Sequence, residues 1–148
     1  MAQAIYKAHN FPIVDPSYMS SVKRPLSPHL GIYRPQISSV MSILHRITGV
    51  ALAVGSVLMV VWLWSAAYAP AFYTQLHDLL ASLPGKLLLL GWTIAFYYHL
   101  CNGIRHLWWD MGKGMDVPAV NRSGIVALVA TALLTAFTWG MALSAGVQ

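Results

Sequence analysis

Apolar residues run along this chain in three long blocks, separated by short polar breaks marked by proline and glycine. No Asp, Glu, Lys or Arg occurs in residues 47–77, 87–104 or 123–148. A stretch of about 20 apolar residues is enough to cross a bilayer. With allowance for their ends, the blocks predict transmembrane helices at about 43–68, 85–108 and 123–145, each the length of a tilted span. Pro70 and the segment Tyr73–Pro84 predict a loop as the first connection, with Pro84-Gly85 as a turn before the second span. The second connection, Asp110–Arg122, carries Gly112, Gly114 and Pro118 and also reads as a loop. The expected fold is therefore all-α, with a three-helix transmembrane domain over residues 43–145. Residues 1–41, broken by Pro12, Pro16, Pro25, Pro28 and Pro35, form a separate N-terminal segment. It is better suited to lying along a partner than to folding alone.

Composition sharpens this picture. The 148 residues are 57% hydrophobic and 9% charged, whereas soluble domains carry roughly 25% charged residues. Nothing remains for a separate globular domain beside the spans. The net charge of +5 is not a nucleic-acid footprint, because the basic residues are scattered around the apolar blocks. They sort by topology instead. Lys7, Lys23, Arg24, Arg34 and Arg46 precede the first span, and Arg105, Lys113 and Arg122 surround the second connection. The first connection holds only Lys86, and the C-terminal tail has no basic residue. The positive-inside rule then puts the N-terminus in the cytoplasm, or the matrix of an organelle, and the C-terminus outside. Trp62, Trp64, Tyr68, Trp108 and Trp109 fall where interfacial aromatic belts are expected. The single cysteine, Cys101, excludes an intramolecular disulfide and an iron–sulfur or Cys-rich zinc site held by this chain alone. It reads as a small packing residue. The first 40 residues contain no uninterrupted apolar stretch, so a cleavable signal is not expected, and an amphipathic transit peptide is not evident.

Two polar faces interrupt the apolar blocks. On a helix, Ser42, His45, Arg46 and Gly49 lie at i, i+3, i+4 and i+7, and Ser38 extends that face by one turn. A guanidinium and a hydroxyl suit a quinone head group, whose carbonyl oxygens need hydrogen bonds and whose reduction needs a proton route from water. The competing reading is that Arg46 and His45 snorkel to the headgroups and fix topology. The second face is His99, Gly103, His106 and Asp110, at i, i+4, i+7 and i+11. Neutral imidazole is a common axial ligand of haem iron, and Gly103 leaves room for a flat macrocycle. Against this, His99 could equally satisfy a carbonyl on a neighbouring helix. His99 is expected roughly 13 Å inside the end of its span, with His106 about 10 Å away along the same face. His45 should lie shallower than His99 by a comparable distance, and span three has no histidine. A second axial ligand would therefore come from another chain. His106 and Arg105, near the end of the span, suit haem propionates or water. Tyr97 and Tyr98 read as packing and interhelical hydrogen bonds, and Asp110 as a partner for a base or a loop cap.

Three segments together resemble a known family. They are Arg24-Pro-Leu-Ser-Pro-His-Leu-Gly-Ile-Tyr33, Ser42-Ile-Leu-His-Arg-Ile-Thr-Gly49 and His99-x5-Arg105-His106-x3-Asp110. In this the chain is similar to the cytochrome b subunits of succinate dehydrogenase, the large membrane anchors of respiratory complex II. The resemblance covers about residues 24–145, and residues 1–23 match nothing usable. It implies that His99 is one axial ligand of a haem b shared with a small hydrophobic anchor subunit, which supplies the other ligand. It implies a ubiquinone site on Ser42 and Arg46, completed by the iron–sulfur subunit and the small anchor. His45, Arg46 and His106 match positions near the haem propionates. The implied partners are the flavoprotein and iron–sulfur subunits, on which residues 1–41 would dock, and the implied location is the bacterial cytoplasmic or mitochondrial inner membrane. The chain would then be a non-catalytic subunit that never touches succinate.

Three rivals make different predictions. A fumarate reductase anchor would run the same chemistry in reverse with a low-potential quinol. A small transporter or assembly protein would bind no haem and bring down no dehydrogenase. A self-contained di-haem cytochrome needs four axial ligands at two depths, usually on at least four helices, which this chain lacks.

Overall fold

The computed structural model describes residues 35–146, all of whose regular structure is helical. The helices are α1 (Ile37–Tyr68), α2 (Pro70–Ala81), α3 (Leu83–Asp110) and α4 (Val117–Ser144). Three of them, α1, α3 and α4, are long and apolar enough to cross a membrane. The motif Arg24–Tyr33 and most of the expected N-terminal docking segment lie outside the described residues.

α1 starts at Ile37, earlier than the charge-free block suggested, and runs for 32 residues, about 48 Å at 1.5 Å per residue. A hydrocarbon layer is only about 30 Å thick. The charge-free stretch from Ile47 to Tyr68 fills that thickness, so the first turns, with Ser42, His45 and Arg46, form an overhang at its edge. Polar residues on those turns do not stop the helix, because a helix satisfies its own backbone whatever its side chains.

The first connection is not a loop. α2 is a 12-residue helix with Pro70 at its start. Pro70 has no N–H to give and its fixed φ suits a first helical turn, so it ends α1 and begins α2 in one step. Tyr73, Leu76 and Leu80 recur at i, i+3 and i+7 and are half-buried, as is Ala81 at the helix end, while Phe72 and Leu79 stay exposed. The turn signals at either end concealed that short helical period. At the α2–α3 corner Ser82 caps α3, its hydroxyl oxygen accepting from the Gly85 N–H at 3.3 Å. Gly85 is required there, because a Cβ would overlap the Leu79 carbonyl oxygen and the Leu80 backbone.

α4 also starts earlier than expected, at Val117, where the Asp116 carboxylate accepts from the Ala119 N–H at 3.2 Å. Asp116, rather than Asp110, is thus the capping acid of the second connection; Asp110 is exposed at the end of α3. Gly112 and Gly114 turn the chain with φ of +72° and +68°, values open to glycine without steric cost.

α3 packs against both α1 and α4, which touch each other over a shorter stretch. What is buried between them is small or polar: Ala95, Ala127, Ser65, Asn102, Arg105, Thr131 and Thr135, with Met41 and Tyr98. The large apolar residues, among them Val50, Val54, Val57, Val60, Leu133 and Phe137, face outward. This is the inside-out distribution of a membrane bundle, whose helices gain little by hiding Leu from lipid and associate through close packing and hydrogen bonds. Cys101 packs beside the Met41, Tyr98 and Ala127 cluster, in the packing role read from the sequence.

Candidate functional site

The overhanging end of α1 is tied to α3 first through the Met41 backbone oxygen. The Met41 carbonyl accepts from the Tyr98 hydroxyl at 2.9 Å and from Asn102 Nδ2 at 3.3 Å. Asn102 is fully buried, and its Oδ1 accepts from the Arg105 guanidinium at 3.2 Å. Arg105 then reaches α4, donating from Nε to the Ser123 hydroxyl and from its NH2 group to the Val120 carbonyl, both at 2.9 Å. Its guanidinium also lies 4.0 Å above the Trp109 ring. Arg105 is only 6% exposed, so it is a structural bracket joining α3 to α4. Three of its five N–H donors are taken inside the bundle, a packing role that the sequence reading, which gave it haem propionates or water, did not include.

Interhelical hydrogen bonds inside membranes average about 0.6 kcal/mol. Arg105 makes two to α4 and one that braces Asn102, so Arg105→Leu is expected to cost about 2 kcal/mol. The check is thermal denaturation of the detergent-purified protein, in which Arg105→Lys, lacking the planar fork, recovers only part of the loss.

One turn further along, three histidines form a ladder. The His45 and His99 rings stack with centroids 3.9 Å apart and planes 9° from parallel. His106 sits 5.1 Å from His45 on its other side, tilted by 42°, and meets Trp109 edge-on. The depth expectation for His45 is corrected here. α1 and α3 run antiparallel, and the His45 side chain spans the interval between His99 and His106 instead of remaining a full step shallower. Gly103 faces it, with its Cβ direction 4.0 Å from His45 Cε1. A ring stacked on His99 is parallel to it and so cannot point at it from across a metal. The three rings also do not converge as a chelating set, and no group of three or more His, Cys, Asp or Glu does so among the described residues.

The tautomer of His99 is fixed by its surroundings. Nδ1 lies 3.1 Å from the His45 carbonyl oxygen and 3.3 Å from the Thr48 hydroxyl oxygen. A carbonyl only accepts, so Nδ1 carries the proton and Nε2 keeps its lone pair. The ring lies flat against α1 because residue 49 is glycine; a Cβ there would come within 3.1 Å of His99 Cε1. His45 Nδ1 is buried and has no hydrogen-bond partner among the described residues.

Ser42 and Arg46 are placed differently. Ser42 is half-buried and Arg46 exposed on successive turns of α1. Among the described residues neither side chain makes a hydrogen bond or ion pair, and neither is joined to the ladder by one. The structure thus brings His45, His99 and His106 together, across two faces that the sequence kept apart, and leaves Ser42 and Arg46 on neighbouring turns of α1 as donors without partners among the described residues. The sequence reading missed Thr48 and Asn102. Thr48 follows His45 by three residues and Asn102 follows His99 by three, so helical spacing carried the signal. The bond that Thr48 makes across to α3 was not foreseeable from spacing alone.

Comparison with known proteins gives this arrangement a context. A family profile described as succinate dehydrogenase/fumarate reductase transmembrane subunit matches residues 20–138. The chain is 49% identical over 117 residues to the succinate dehydrogenase cytochrome b556 subunit of Rickettsia typhi, covering 79% of this chain and 91% of that one. Its counterpart in Rickettsia prowazekii is 48% identical over the same shares. The mitochondrial succinate dehydrogenase cytochrome b560 subunit of Sus scrofa is 43% identical over 115 residues, 74% of this chain and 66% of that one.

Proposed function

The chain belongs to the succinate dehydrogenase/fumarate reductase transmembrane-subunit family, and from that membership we propose that it co-ligates a haem b through His99 and helps form a ubiquinone site with Ser42 and Arg46. The membership makes the chain a membrane-anchoring subunit of an enzyme complex, not its catalytic subunit. In the proposed division of labour, a flavoprotein oxidises succinate and an iron–sulfur subunit passes the electrons to quinone at the membrane edge. The N-terminal side, rich in Lys and Arg, faces those subunits in the cytoplasm or matrix.

The observation that carries the reading is the tautomer of His99. An iron ligand needs a bare nitrogen, and second-shell acceptors on the other nitrogen are what usually secure one. His99 has both: Nδ1–H directed at the His45 carbonyl, and Nε2 with its lone pair free. His45 Nδ1 is buried without a partner among the described residues, and when it carries the ring proton a haem propionate is an acceptor of the right kind. His106 and Arg46 would serve the same carboxylates. Bound there, the haem supplies a one-electron store beside the quinone. A second iron ligand would come from another chain, since the parallel stack disqualifies His45 and α4 has no histidine, and family membership suggests a small hydrophobic anchor subunit for it. At the quinone, Arg46 and the Ser42 hydroxyl donate to a carbonyl oxygen, and their place at the membrane edge keeps a proton source within reach.

A reduced-minus-oxidised difference spectrum of the chain purified in mild detergent, with its companions identified by mass spectrometry, tests the reading. A b-type α-band accompanied by a flavoprotein, an iron–sulfur protein and a second small anchor is the expected result. Absence of both the band and those companions would overturn it in favour of a transporter or assembly protein.

A further inference from the structure

Thr48 is the one described threonine whose hydroxyl oxygen lies within hydrogen-bond distance of a histidine. Thr74, Thr93, Thr131 and Thr138 each return their hydroxyl proton to a carbonyl four residues back in their own helix, the usual way a threonine satisfies itself inside a helix. Thr138 also meets the Tyr97 hydroxyl of α3 at 2.7 Å, and Thr135 has no partner among the described residues. Thr48 back-bonds as well, with the Leu44 and His45 carbonyl oxygens both 2.9 Å from its hydroxyl oxygen. Its one proton goes to one of those two. The oxygen's remaining lone pair then faces His99 Nδ1 at 3.3 Å, across the helix boundary. Of the two acceptors around that N–H, the His45 carbonyl is backbone and invariant to substitution, whereas the Thr48 oxygen belongs to a side chain.

We propose that Thr48 is a positioning residue for the iron ligand, acting through His99 by accepting from Nδ1–H and so holding its ring plane and raising the donor strength of Nε2. The inference rests on the reading of His99 as an axial ligand. The ring is bounded on three sides by α1: the His45 ring lies on its face, the bare Gly49 position is against Cε1, and the two oxygens take Nδ1–H. A half-turn about the Cβ–Cγ bond would set a carbon against both oxygens and lose both hydrogen bonds. Each acceptor on Nδ1–H also increases the basicity of the opposite nitrogen. A more basic axial ligand favours the ferric over the ferrous iron and lowers the reduction potential. Thr48 thereby contributes to where the haem sits on the potential scale, without contact with iron.

The test uses the whole purified complex, with redox potentiometry and low-temperature EPR of the haem. Thr48→Val keeps the branched shape and removes the acceptor. The expected result is a retained haem whose midpoint potential moves upward and whose EPR g-values shift as the ring relaxes. Thr48→Ser restores the wild-type values, and Thr131→Val, which removes only a helix back-bond, leaves them unchanged. Should Thr48→Val fail to assemble, Thr48→Ala carries the same comparison without the extra methyl. An unchanged potential and EPR signal in the Val or Ala variant, while His99→Ala loses or alters the haem, overturns this inference and leaves the ligand assignment standing. An unchanged haem in His99→Ala overturns both.

Discussion

Arg46→Leu lowers succinate–ubiquinone reductase activity by about 10- to 100-fold while leaving succinate oxidation by a soluble dye acceptor close to its wild-type rate. The magnitude follows from one hydrogen bond made by a charged donor, worth about 1.5–3 kcal/mol, with each 1.36 kcal/mol a factor of about ten in rate. The separation of the two assays is the informative part. Dye reduction samples the soluble subunits, whereas quinone reduction needs the membrane edge where Arg46 stands. Structural collapse does not confound this variant: Arg46 is exposed and makes no hydrogen bond or ion pair among the described residues, so its removal leaves no internal partner unsatisfied. Arg105 is the contrasting case, since it has three bonding partners and only 6% exposure. Loss of both activities in equal proportion would remove Arg46 from the quinone site and return it to the role of a topology-fixing charge. Ser42→Ala should follow the same pattern with a smaller loss, because a neutral hydroxyl gives a hydrogen bond worth about 1 kcal/mol.

The three spans were legible in the sequence because bilayer thickness imposes a length and a composition that few other structures share. Their ends were not. Absence of charge marks the hydrocarbon, whereas a helix ends where its caps and prolines say, so α1 and α4 each run several residues beyond their charge-free blocks. α2 went unread because twelve residues with three inward positions make a weak period beside the strong breaks at Pro70 and Pro84. The site was legible as a set of residue types: histidine, arginine and hydroxyl on two faces with helical spacing. Which of those side chains are spent on holding the bundle was not. Spacing offered Arg46 to a quinone and Arg105 to haem propionates or water, and only the packing of α3 against α4 shows that Arg105 is engaged inside the bundle while Arg46 is not. The same limit explains His45. A depth scale built on 1.5 Å per residue locates a Cα, but a long side chain between antiparallel helices reaches the next level.

His99→Ala is expected to abolish the b-type α-band, or to shift it, in the purified complex. The substitution takes away the one imidazole on α3 whose Nε2 is left bare by hydrogen bonds at Nδ1. It also removes the ring that lies against the bare Gly49 position of α1. His45 is the natural control, since its ring lies 3.9 Å away and its Nδ1 has no partner among the described residues. If His99 is the ligand, His45→Ala keeps the α-band in place and changes only how firmly the haem is held, through the loss of a stacking face and a propionate donor. If His45 takes over when His99 is gone, the single His99→Ala variant keeps a displaced band and the double variant has none. An α-band unchanged in position and height in His99→Ala would move the iron ligand to another residue, and the tautomer argument would then describe only a histidine that braces α3 against α1. The two outcomes separate cleanly because bracing acts on stability, which thermal denaturation reads, whereas ligation acts on the spectrum.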